Sequence, residues 1–312
     1  MHALVRRPIV CLEVLVSRKI LVKLIAASFA LVGVDAAMAC STAAWTATGG
    51  GEVGNPVEGE PDDAVPVARY SGRCGLASSN AASFVRDNSP AGEPKYRARF
   101  YVYTGTTAGA GNAVVFNATN ASNASMIRVA HDTTANVFNF YVSGNDVADG
   151  VVTGVLDNRW YSIELNFSNS APAELRYTVV GAGGATLANN VATLAAPQAT
   201  DVIDTAELGW VANLGGTPTG RVNTDAFESR RNTAIGRLPR ASSNGDAVCN
   251  ATDITFTAND ILSILTDGAA GSLAPGQPDC DENGQINASD ITCTANVIIG
   301  DLISEPATVC GV

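Results

Sequence analysis

Histidine is nearly absent from this chain of 312 residues, which contains only His2 and His131. A zinc site built from several histidines is therefore excluded within one copy of the chain, and a serine or cysteine nucleophile would depend on His131 alone. Basic side chains are also scarce, because 19 Lys and Arg stand against 30 Asp and Glu. Affinity for nucleic acid comes largely from basic groups that neutralise phosphates, so this balance argues against a nucleic-acid partner.

The chain also lacks an apolar run of the roughly 20 residues that a membrane-spanning helix needs. Its longest run, residues 24–34, follows Arg18, Lys19 and Lys23 and precedes Ala37-Met38-Ala39. This order is typical of a secretory signal peptide with an Ala-x-Ala cleavage site. We expect residues 1–39 to be removed and the mature chain to begin at Cys40. The mature protein is predicted to be extracellular or held at the cell surface, without a transmembrane segment.

Six cysteines remain after that cut, an even number that predicts three disulfides in a secreted protein. Cys40 and Cys74 stand apart from the other four and are predicted to pair. The four C-terminal cysteines allow three pairings, which the sequence alone does not separate. Among these we take Cys249–Cys293 and Cys280–Cys310 as the prediction. The mature chain keeps 14 basic and 28 acidic side chains, because the leader holds five of the 19 and two of the 30.

Short segments of alternating apolar and polar residues fill the chain between Tyr70 and Arg231, separated by clusters of Gly, Asn, Asp and Ser. No helical pattern intervenes, so the segments predict an antiparallel β-sandwich of about ten to fourteen strands. Residues 49–63, rich in Gly, Glu and Pro, are predicted to be a loop. Trp160 and Trp210 lie in alternating segments and are assigned to the core, whereas His131 is expected at the surface.

Three segments of this region resemble the concanavalin A-like lectin/glucanase jelly roll and, within it, laminin-G-like modules. They are Phe100-Tyr101-Val102-Tyr103, Trp160-Tyr161-Ser162-Ile163-Glu164-Leu165 and Asp225-Ala226-Phe227-Glu228-Ser229-Arg230-Arg231. The resemblance implies a jelly-roll sandwich that binds polysaccharide. Trp45, in an irregular segment, is the candidate for an exposed platform on which a sugar stacks.

The glucanases of that superfamily carry a Glu-x-Asp-x-x-Glu strand motif, which this chain lacks. Glycoside hydrolysis usually needs two carboxyl groups about 5 to 10 Å apart. Glu164, Glu174 and Glu207 are isolated on their predicted strands, and Asp225 and Glu228 would face opposite sides of a regular strand. The sequence therefore predicts that the sandwich is not an enzyme and has no catalytic residues.

The C-terminal part contains a duplication offset by 37 residues, Asn250–Asn259 against Asn287–Asn296. In the second copy, oxygen-bearing side chains occupy positions 1, 3, 5, 9 and 12 of a twelve-residue calcium loop, and Gly284 stands at the sharp turn of position 6. A hard cation takes six to eight oxygens, and alternate residues of such a loop point inward. The predicted ligands are Asp279, Asp281, Asn283, the main-chain carbonyl of Gln285, Asn287 and Asp290.

The first copy is a weaker version of the same loop. Its predicted ligands are Ser242, Asn244, Asp246, the main-chain carbonyl of Val248, Asn250 and Asp253. It has two carboxylates against three, and Ala247 replaces the glycine at position 6, where a positive φ strains a residue with a Cβ atom. We predict two Ca²⁺ sites, of which the second binds more tightly.

A loop followed directly by a helix, twice, with Asp at position 12, resembles a type I dockerin. The resemblance implies docking to a cohesin-like protein through loop positions 10 and 11, which are Ala251, Thr252, Ala288 and Ser289 here. The four extra cysteines depart from that family and leave self-association open as the alternative.

The predicted fold class is mainly β, an antiparallel jelly-roll β-sandwich over residues 40–238 with a small helical dockerin-like domain over residues 239–312. The predicted function is binding, to extracellular polysaccharide through the sandwich and to a protein scaffold through the dockerin-like domain. Two alternatives stay open at this point. One is a polysaccharide hydrolase, and the other is a structural surface or matrix protein.

Overall fold

The computed structural model describes residues 42–49, 57–59, 69–72, 74–143, 148–170, 174–193, 201–246, 248–267 and 276–303. The leader predicted at residues 1–39, Cys40, Ala247 and Cys310 lie outside the described residues. Cys40–Val312 forms one compact unit. No helix in the described ranges has the length and apolar character that crossing a membrane requires.

Two seven-stranded antiparallel sheets make up most of the described chain. The strands are β1 (Ala47–Gly49), β2 (Val57–Gly59), β3 (Gly75–Ser78), β4 (Ser83–Asp87), β5 (Lys95–Tyr103), β6 (Thr107–Ala108), β7 (Asn112–Thr119), β8 (Ser125–Asp132), β9 (Val137–Val142), β10 (Gly150–Val152), β11 (Trp160–Ser168), β12 (Glu174–Val180), β13 (Thr186–Thr193), β14 (Thr205–Leu214), β15 (Thr219–Gly220) and β16 (Val222–Arg230). Sheet I has the order β1-β4-β14-β7-β8-β9-β10, and sheet II has the order β13-β12-β11-β5-β16-β3-β2. The short strands β6 and β15 pair separately.

Alternate residues of the strands point between the two sheets and form one core. Phe100 of sheet II stacks on Phe116 of sheet I, with ring centroids 4.9 Å apart, and Phe140 stacks on Tyr177 at 4.0 Å. Full burial of one such side chain contributes about 1.5 to 3 kcal/mol. The mainly antiparallel β architecture predicted from the alternating pattern is therefore confirmed.

Three local expectations are wrong. The segment predicted as a loop contains β2, which pairs with β3. His131 is buried rather than exposed, and it contacts Asn136 and Thr107. The pairing of β16 with β5 shifts between Asp225 and Glu228, where Ala226 has φ +49°. Because of this bulge, Asp225 and Glu228 both face outward from sheet II, and the alternation argument that separated them fails.

Two helices follow the sandwich, α1 (Ala251–Asp267) and α2 (Ala288–Ile303). The side chains of Asn250 and Asn287 accept the N–H groups of Thr252 and Ser289, so each helix begins with the same cap. Ile286 packs against Ile261 and Ile264 in a very small apolar cluster. A core of this size needs support from other contacts or from a bound metal.

Candidate functional site

The second predicted calcium loop gathers three carboxylates. One oxygen from each of Asp279, Asp281 and Asp290 lies within 4.8 Å of the others. Asp279 and Asp290 are fully buried. Among the described residues, this is the one group of three or more acidic, histidine or cysteine side chains close enough to hold a metal ion together.

The environment of these carboxylates opposes their negative charge. Burial raises the pKa of Asp279 well above its usual value, and the neighbouring Asp290 and Asp281 raise it further. Burial also raises the pKa of Asp290 to about 6. Carboxylate oxygens are the donors that Ca²⁺ prefers, and a divalent cation among them would remove both penalties. The donor set therefore fits calcium.

The loop backbone is shaped for a tight turn around Asp279. Its carboxylate accepts the N–H groups of Asn283 at 3.1 Å and Gly284 at 2.7 Å. Gly284 has φ +81°, and a Cβ atom at this position would lie 2.4 Å from the ring of Tyr103. Glycine is therefore required both by the turn and by a neighbour in the sandwich.

The first loop repeats the same backbone arrangement. Asp253 accepts the N–H groups of Asn244 at 3.1 Å and Asn250 at 2.9 Å. At the equivalent positions of the second loop, the Asp290 carboxylate accepts the N–H groups of Asp281 at 3.2 Å and Asn287 at 2.8 Å. Ser242 is buried, and Asp246 accepts a hydrogen bond from the side chain of Asn244. The loops share a geometry and differ in the number of carboxylates.

One disulfide joins Cys280 to Cys293, with Cα atoms 5.8 Å apart. The predicted pairings Cys249–Cys293 and Cys280–Cys310 are therefore wrong. The physical reason is that Cys280 is position 2 of the loop, and the hydrogen bond from the Asp281 N–H group to Asp290 brings it under the first turn of α2. Cys74 and Cys249 are also disulfide-bonded. Their partners lie outside the described residues, so Cys40–Cys74 stays a prediction.

The predicted partner-binding positions Ala251, Thr252, Ala288 and Ser289 are exposed. They occupy the same place at the start of each helix. Three apolar side chains on the helices, Leu262, Leu265 and Ile299, are also more than half exposed. The start of each helix, which the resemblance assigns to a partner, is therefore accessible.

Glu282, at loop position 4, joins the second loop to the sandwich. Its side chain is fully buried, accepts hydrogen bonds from the Tyr70 hydroxyl at 2.8 Å and the Gly183 N–H group at 3.0 Å, and forms an ion pair with Arg237. Its carbonyl accepts the N–H group of Trp160 at 3.1 Å. We call Glu282 and these partners the junction.

Aromatic rings and a second ion pair extend the junction. Tyr70 stacks on Tyr101 at 3.6 Å, Tyr103 donates to the carbonyl of Asn283 at 3.0 Å, and Arg69 pairs with Asp260 of α1 at 2.8 Å with both side chains fully buried. Sequence reasoning missed these residues. Position 4 of a calcium loop is not a ligand position, so nothing in the loop pattern marks Glu282.

The outer face of sheet II, which points away from sheet I, has one half that other segments cover and one half that is open to solvent. The backbone of residues 235–238, which we call the strap, crosses its centre. Glu164 accepts the N–H groups of Ile235 and Gly236, both at 3.0 Å, and the Tyr101 hydroxyl accepts that of Leu238 at 2.8 Å. The strap and the junction therefore cover the half of the face that contains Tyr101, Tyr103 and Trp160.

The open half holds a cleft of about 380 Å³. It lies at the end of β5, β11 and β12 that is opposite to the junction. We call this depression the polar cleft, because its lining residues are all polar and only one of them is acidic. They are Lys95, Arg97, Asn166, Ser168, Ser170, Glu174, Arg176, Arg231 and Asn232.

The outer face of sheet I carries a different polar group. Glu207 is 5% exposed and is held by Arg86 and by the Asn117 side chain, whose amide donates at 2.8 Å. The pairing of β4, β14 and β7 sets these three residues side by side. On the neighbouring strands, the Arg128 guanidinium lies 5.1 Å from the centre of the Tyr141 ring.

Trp45, the predicted sugar platform, is partly exposed and packs on Phe227 at 5.2 Å. Together with Ala44, Thr46 and Asp87, the two rings line a shallow cleft of about 350 Å³. Trp160 and Trp210 are both 2% exposed, in agreement with their assignment to the core.

No protein-family model and no curated protein matches the sequence. Among solved structures, the cellulose-induced protein Cip1 is similar at 12% identity and a TM-score of 0.40, over 59% of this chain and 89% of that chain. Alginate lyase Aly36B is similar at 12% identity and a TM-score of 0.36, over 52% and 82%. A sialidase of Trypanosoma rangeli is similar at 12% identity and a TM-score of 0.37, over 54% of this chain and 27% of the sialidase.

These neighbours correct one expectation. The absence of a glucanase motif led to the prediction that the sandwich is not an enzyme, whereas a sialidase and alginate lyases stand among the similar structures. That prediction is contradicted. A missing motif excludes one family of catalysts and no other.

Proposed function

We propose that this chain is an extracellular, calcium-stabilised protein that acts on polysaccharide through its sandwich. The polar cleft carries the proposal. A sheet whose inner face already fills the core has no packing need for an open, hydrogen-bonding depression on its outer face, and asparagine and serine side chains suit the hydroxyl groups of sugars. The names of the neighbours, alginate lyase and sialidase, accord with this proposal.

The test uses the mature chain, residues 40–312, with saturating calcium. It is incubated with a panel of insoluble and soluble polysaccharides, and both the bound fraction and the release of new chain ends are measured. We expect retention on at least one polymer. Retention on none, with no release of ends, would overturn the proposal.

Polymer cleavage at a separate site, on the outer face of sheet I, is the second candidate, and Glu207 favours it. A carboxylate that is almost fully buried on an outer sheet face, held by Arg86 and Asn117, is arranged like a group positioned for acid or base chemistry. Glu207→Gln should remove end release while leaving retention on the polymer. Asp157→Asn, which changes an exposed carboxylate outside both sites, is the control and should release ends at the normal rate.

Calcium is proposed to occupy both loops, with the tighter site at Asp279, Asp281 and Asp290. The three clustered carboxylates of the second loop and the shared backbone geometry of the two loops support this assignment. Calorimetry on the mature chain should resolve two binding phases. Asp290→Asn should remove the tighter phase and Asp253→Asn the weaker one, whereas absence of binding at about millimolar calcium would contradict the proposal.

We also propose that the helices dock to another protein. The partner is either a cohesin-like protein or a second copy of the chain. The exposure of Ala251, Thr252, Ala288 and Ser289 supports it. Sedimentation of the calcium-loaded chain distinguishes self-association, because a dimer would dissociate in the double variant Thr252→Arg/Ser289→Arg. A chain that stays monomeric at high concentration leaves only the form with a separate partner.

A further inference from the structure

The polar cleft differs from the rest of the molecule in charge. Four of its nine lining residues are basic and one is acidic, in a mature chain that has twice as many acidic as basic side chains. A surface patch with the average composition of this chain would carry a net negative charge. The local excess of positive charge therefore needs an explanation other than solubility.

Strand pairing aligns these charges. Arg97 on β5 lies opposite Arg230 on β16 and opposite Asn166 on β11, which in turn lies opposite Arg176 on β12. We call these four residues the arginine row. Like charges directly opposite each other on neighbouring strands destabilise a sheet. An arrangement that places Arg97 beside Arg230 is therefore costly for the isolated fold, and an anionic ligand would offset that cost.

Three basic side chains in or beside the arginine row pair with carboxylates, and two others have no such partner among the described residues. Arg230 pairs with Glu228 at 2.5 Å, Arg176 with Glu174 at 2.6 Å and Arg231 with Glu93 at 3.0 Å. Arg97 and Lys95 have no carboxylate partner within the described part of the chain. Both lie on β5, two residues apart, so their side chains point to the same outer face. They are the cations that remain available to a ligand.

The spacing and the other lining groups define the ligand. Arg97 and Arg176 are two strands apart, about 10 Å at the usual strand spacing of about 4.8 Å. Asn166 lies between them, and Ser168, Ser170 and Asn232 complete the lining. Such a site suits carboxylates repeated along a polymer rich in hydroxyl groups. No aromatic side chain from the described residues lines the cleft, and single-stranded nucleic acids are usually held by stacking on aromatic rings.

We infer that the polar cleft binds an acidic polysaccharide, a polymer of uronic acid units, in which one carboxylate contacts Arg97 and Lys95 and another lies about 10 Å away beside Arg176. This inference rests on the proposed function and narrows its substrate class. Bidentate hydrogen bonding from a guanidinium to a carboxylate supplies geometric specificity as well as charge. The polymer would cross the strands along the arginine row.

The test measures binding of the calcium-loaded mature chain to polygalacturonate, to laminarin, which is a neutral glucan, and to single-stranded DNA. The variants are Arg97→Ala, Lys95→Ala and the charge reversal Arg97→Glu. Arg159→Ala is the matched control, because Arg159 is a partly exposed arginine at the opposite end of β11. We expect polygalacturonate to bind and the Kd to rise about tenfold in Arg97→Ala, which corresponds to about 1.4 kcal/mol. Arg97→Glu should abolish binding, and Arg159→Ala should leave the Kd within about twofold.

The outcomes separate this inference from the proposed function. Binding of laminarin alone, or binding of polygalacturonate that neither Arg97 nor Lys95 variants weaken, would overturn the inference and leave the proposed function standing. Equal affinity for single-stranded DNA would overturn the assignment to polysaccharide. Binding to no polymer would overturn both. Folding of each variant is checked by its calcium-binding isotherm, which involves the opposite end of the molecule.

Discussion

At the scale of single residues, Asp225 carries an ionisable group in surroundings that oppose its charge. Burial raises its pKa to about 7, although its carboxylate accepts the N–H groups of Tyr70, Ser71 and Ala226. In an unfolded chain an aspartate titrates near pH 4. Between about pH 4 and pH 7 the native state therefore holds the extra proton, and raising the pH through this range lowers the free energy of unfolding.

Asp225→Asn should remove this part of the pH dependence. We expect urea unfolding of the wild-type chain to lose on the order of 3 to 4 kcal/mol through this group between about pH 4 and pH 7, and the variant to lack that component. Because Asn is a poorer acceptor for three N–H groups, the variant should be less stable at the acidic end. Asp157→Asn, at an exposed position, should keep the wild-type slope. A variant slope equal to the wild-type slope would refute the assignment.

Glu282 is the residue on which the junction depends most. Glu282→Ala should lower the free energy of unfolding by about 3 to 5 kcal/mol, because it leaves Arg237 buried without its carboxylate. Gln285→Ala, three residues later at an exposed position of the same loop, should change it by less than about 0.5 kcal/mol. Denaturant midpoints of the calcium-loaded chain check both values, and equal losses in the two variants would contradict the role given to Glu282.

At the scale of elements, replacing either of two glycines in the C-terminal part by alanine is expected to change the stability of the chain in opposite directions. Gly284→Ala should weaken the tighter calcium phase and destabilise the chain, because φ is positive and the new Cβ atom meets the Tyr103 ring. Gly300→Ala, within α2, would place the added Cβ atom more than 4 Å from every described atom outside the neighbouring residues and the helix's own backbone. It should stabilise the helix by about 0.5 to 1 kcal/mol. Thermal melts of both variants with saturating calcium test the pair.

The disulfide Cys280–Cys293 ties the second loop to α2. Its sequence separation of 13 residues predicts a stabilisation of about 3 kcal/mol from the constraint on the unfolded chain. The double variant Cys280→Ser/Cys293→Ser should lose that amount and keep its tighter calcium site with reduced affinity. Peptide mapping without reduction should recover the two cysteines in one cross-linked fragment, and a Cys249–Cys293 fragment would contradict the structure.

The elements could be predicted from the sequence to the extent that they depend on local patterns. Strands such as β5, β9 and β11 alternate clearly, and both calcium loops have a fixed spacing of side chains. The bulge at Ala226 could not be predicted, since one extra residue in a strand changes which side chains face outward without changing composition. The disulfide pairing failed for a related reason, because it depends on the fold of the loop over α2.

At the scale of the whole molecule, the sandwich and the C-terminal loops and helices share buried surface. A chain that ends after Leu238 would expose Tyr70, Tyr103 and Trp160, and would leave Arg69 without Asp260. We expect this truncated chain to aggregate or to melt well below the mature chain. A truncated chain with the wild-type melting temperature would show that the junction contributes nothing to the sandwich.

The candidate site was only partly predictable at this scale. The cluster of Asp279, Asp281 and Asp290 could be located from the sequence, because its three residues lie within twelve consecutive positions. The polar cleft combines residues from β5, β11, β12 and the segment after β16, which are as much as 137 positions apart in the chain. A site assembled from such distant segments cannot be recognised from the spacing of residues in the sequence. The same holds for the contact between Glu282 and Tyr70 in the junction.

The strap has a consequence for which part of a polymer the cleft would accept. It blocks the way along the strands at one side of the cleft, so a bound polymer would run across them. Binding in this direction would not require a free terminus. The cleft would accept an internal stretch of a long polymer as readily as a short oligomer, and its affinity would grow with polymer length only until the polymer spans the sheet.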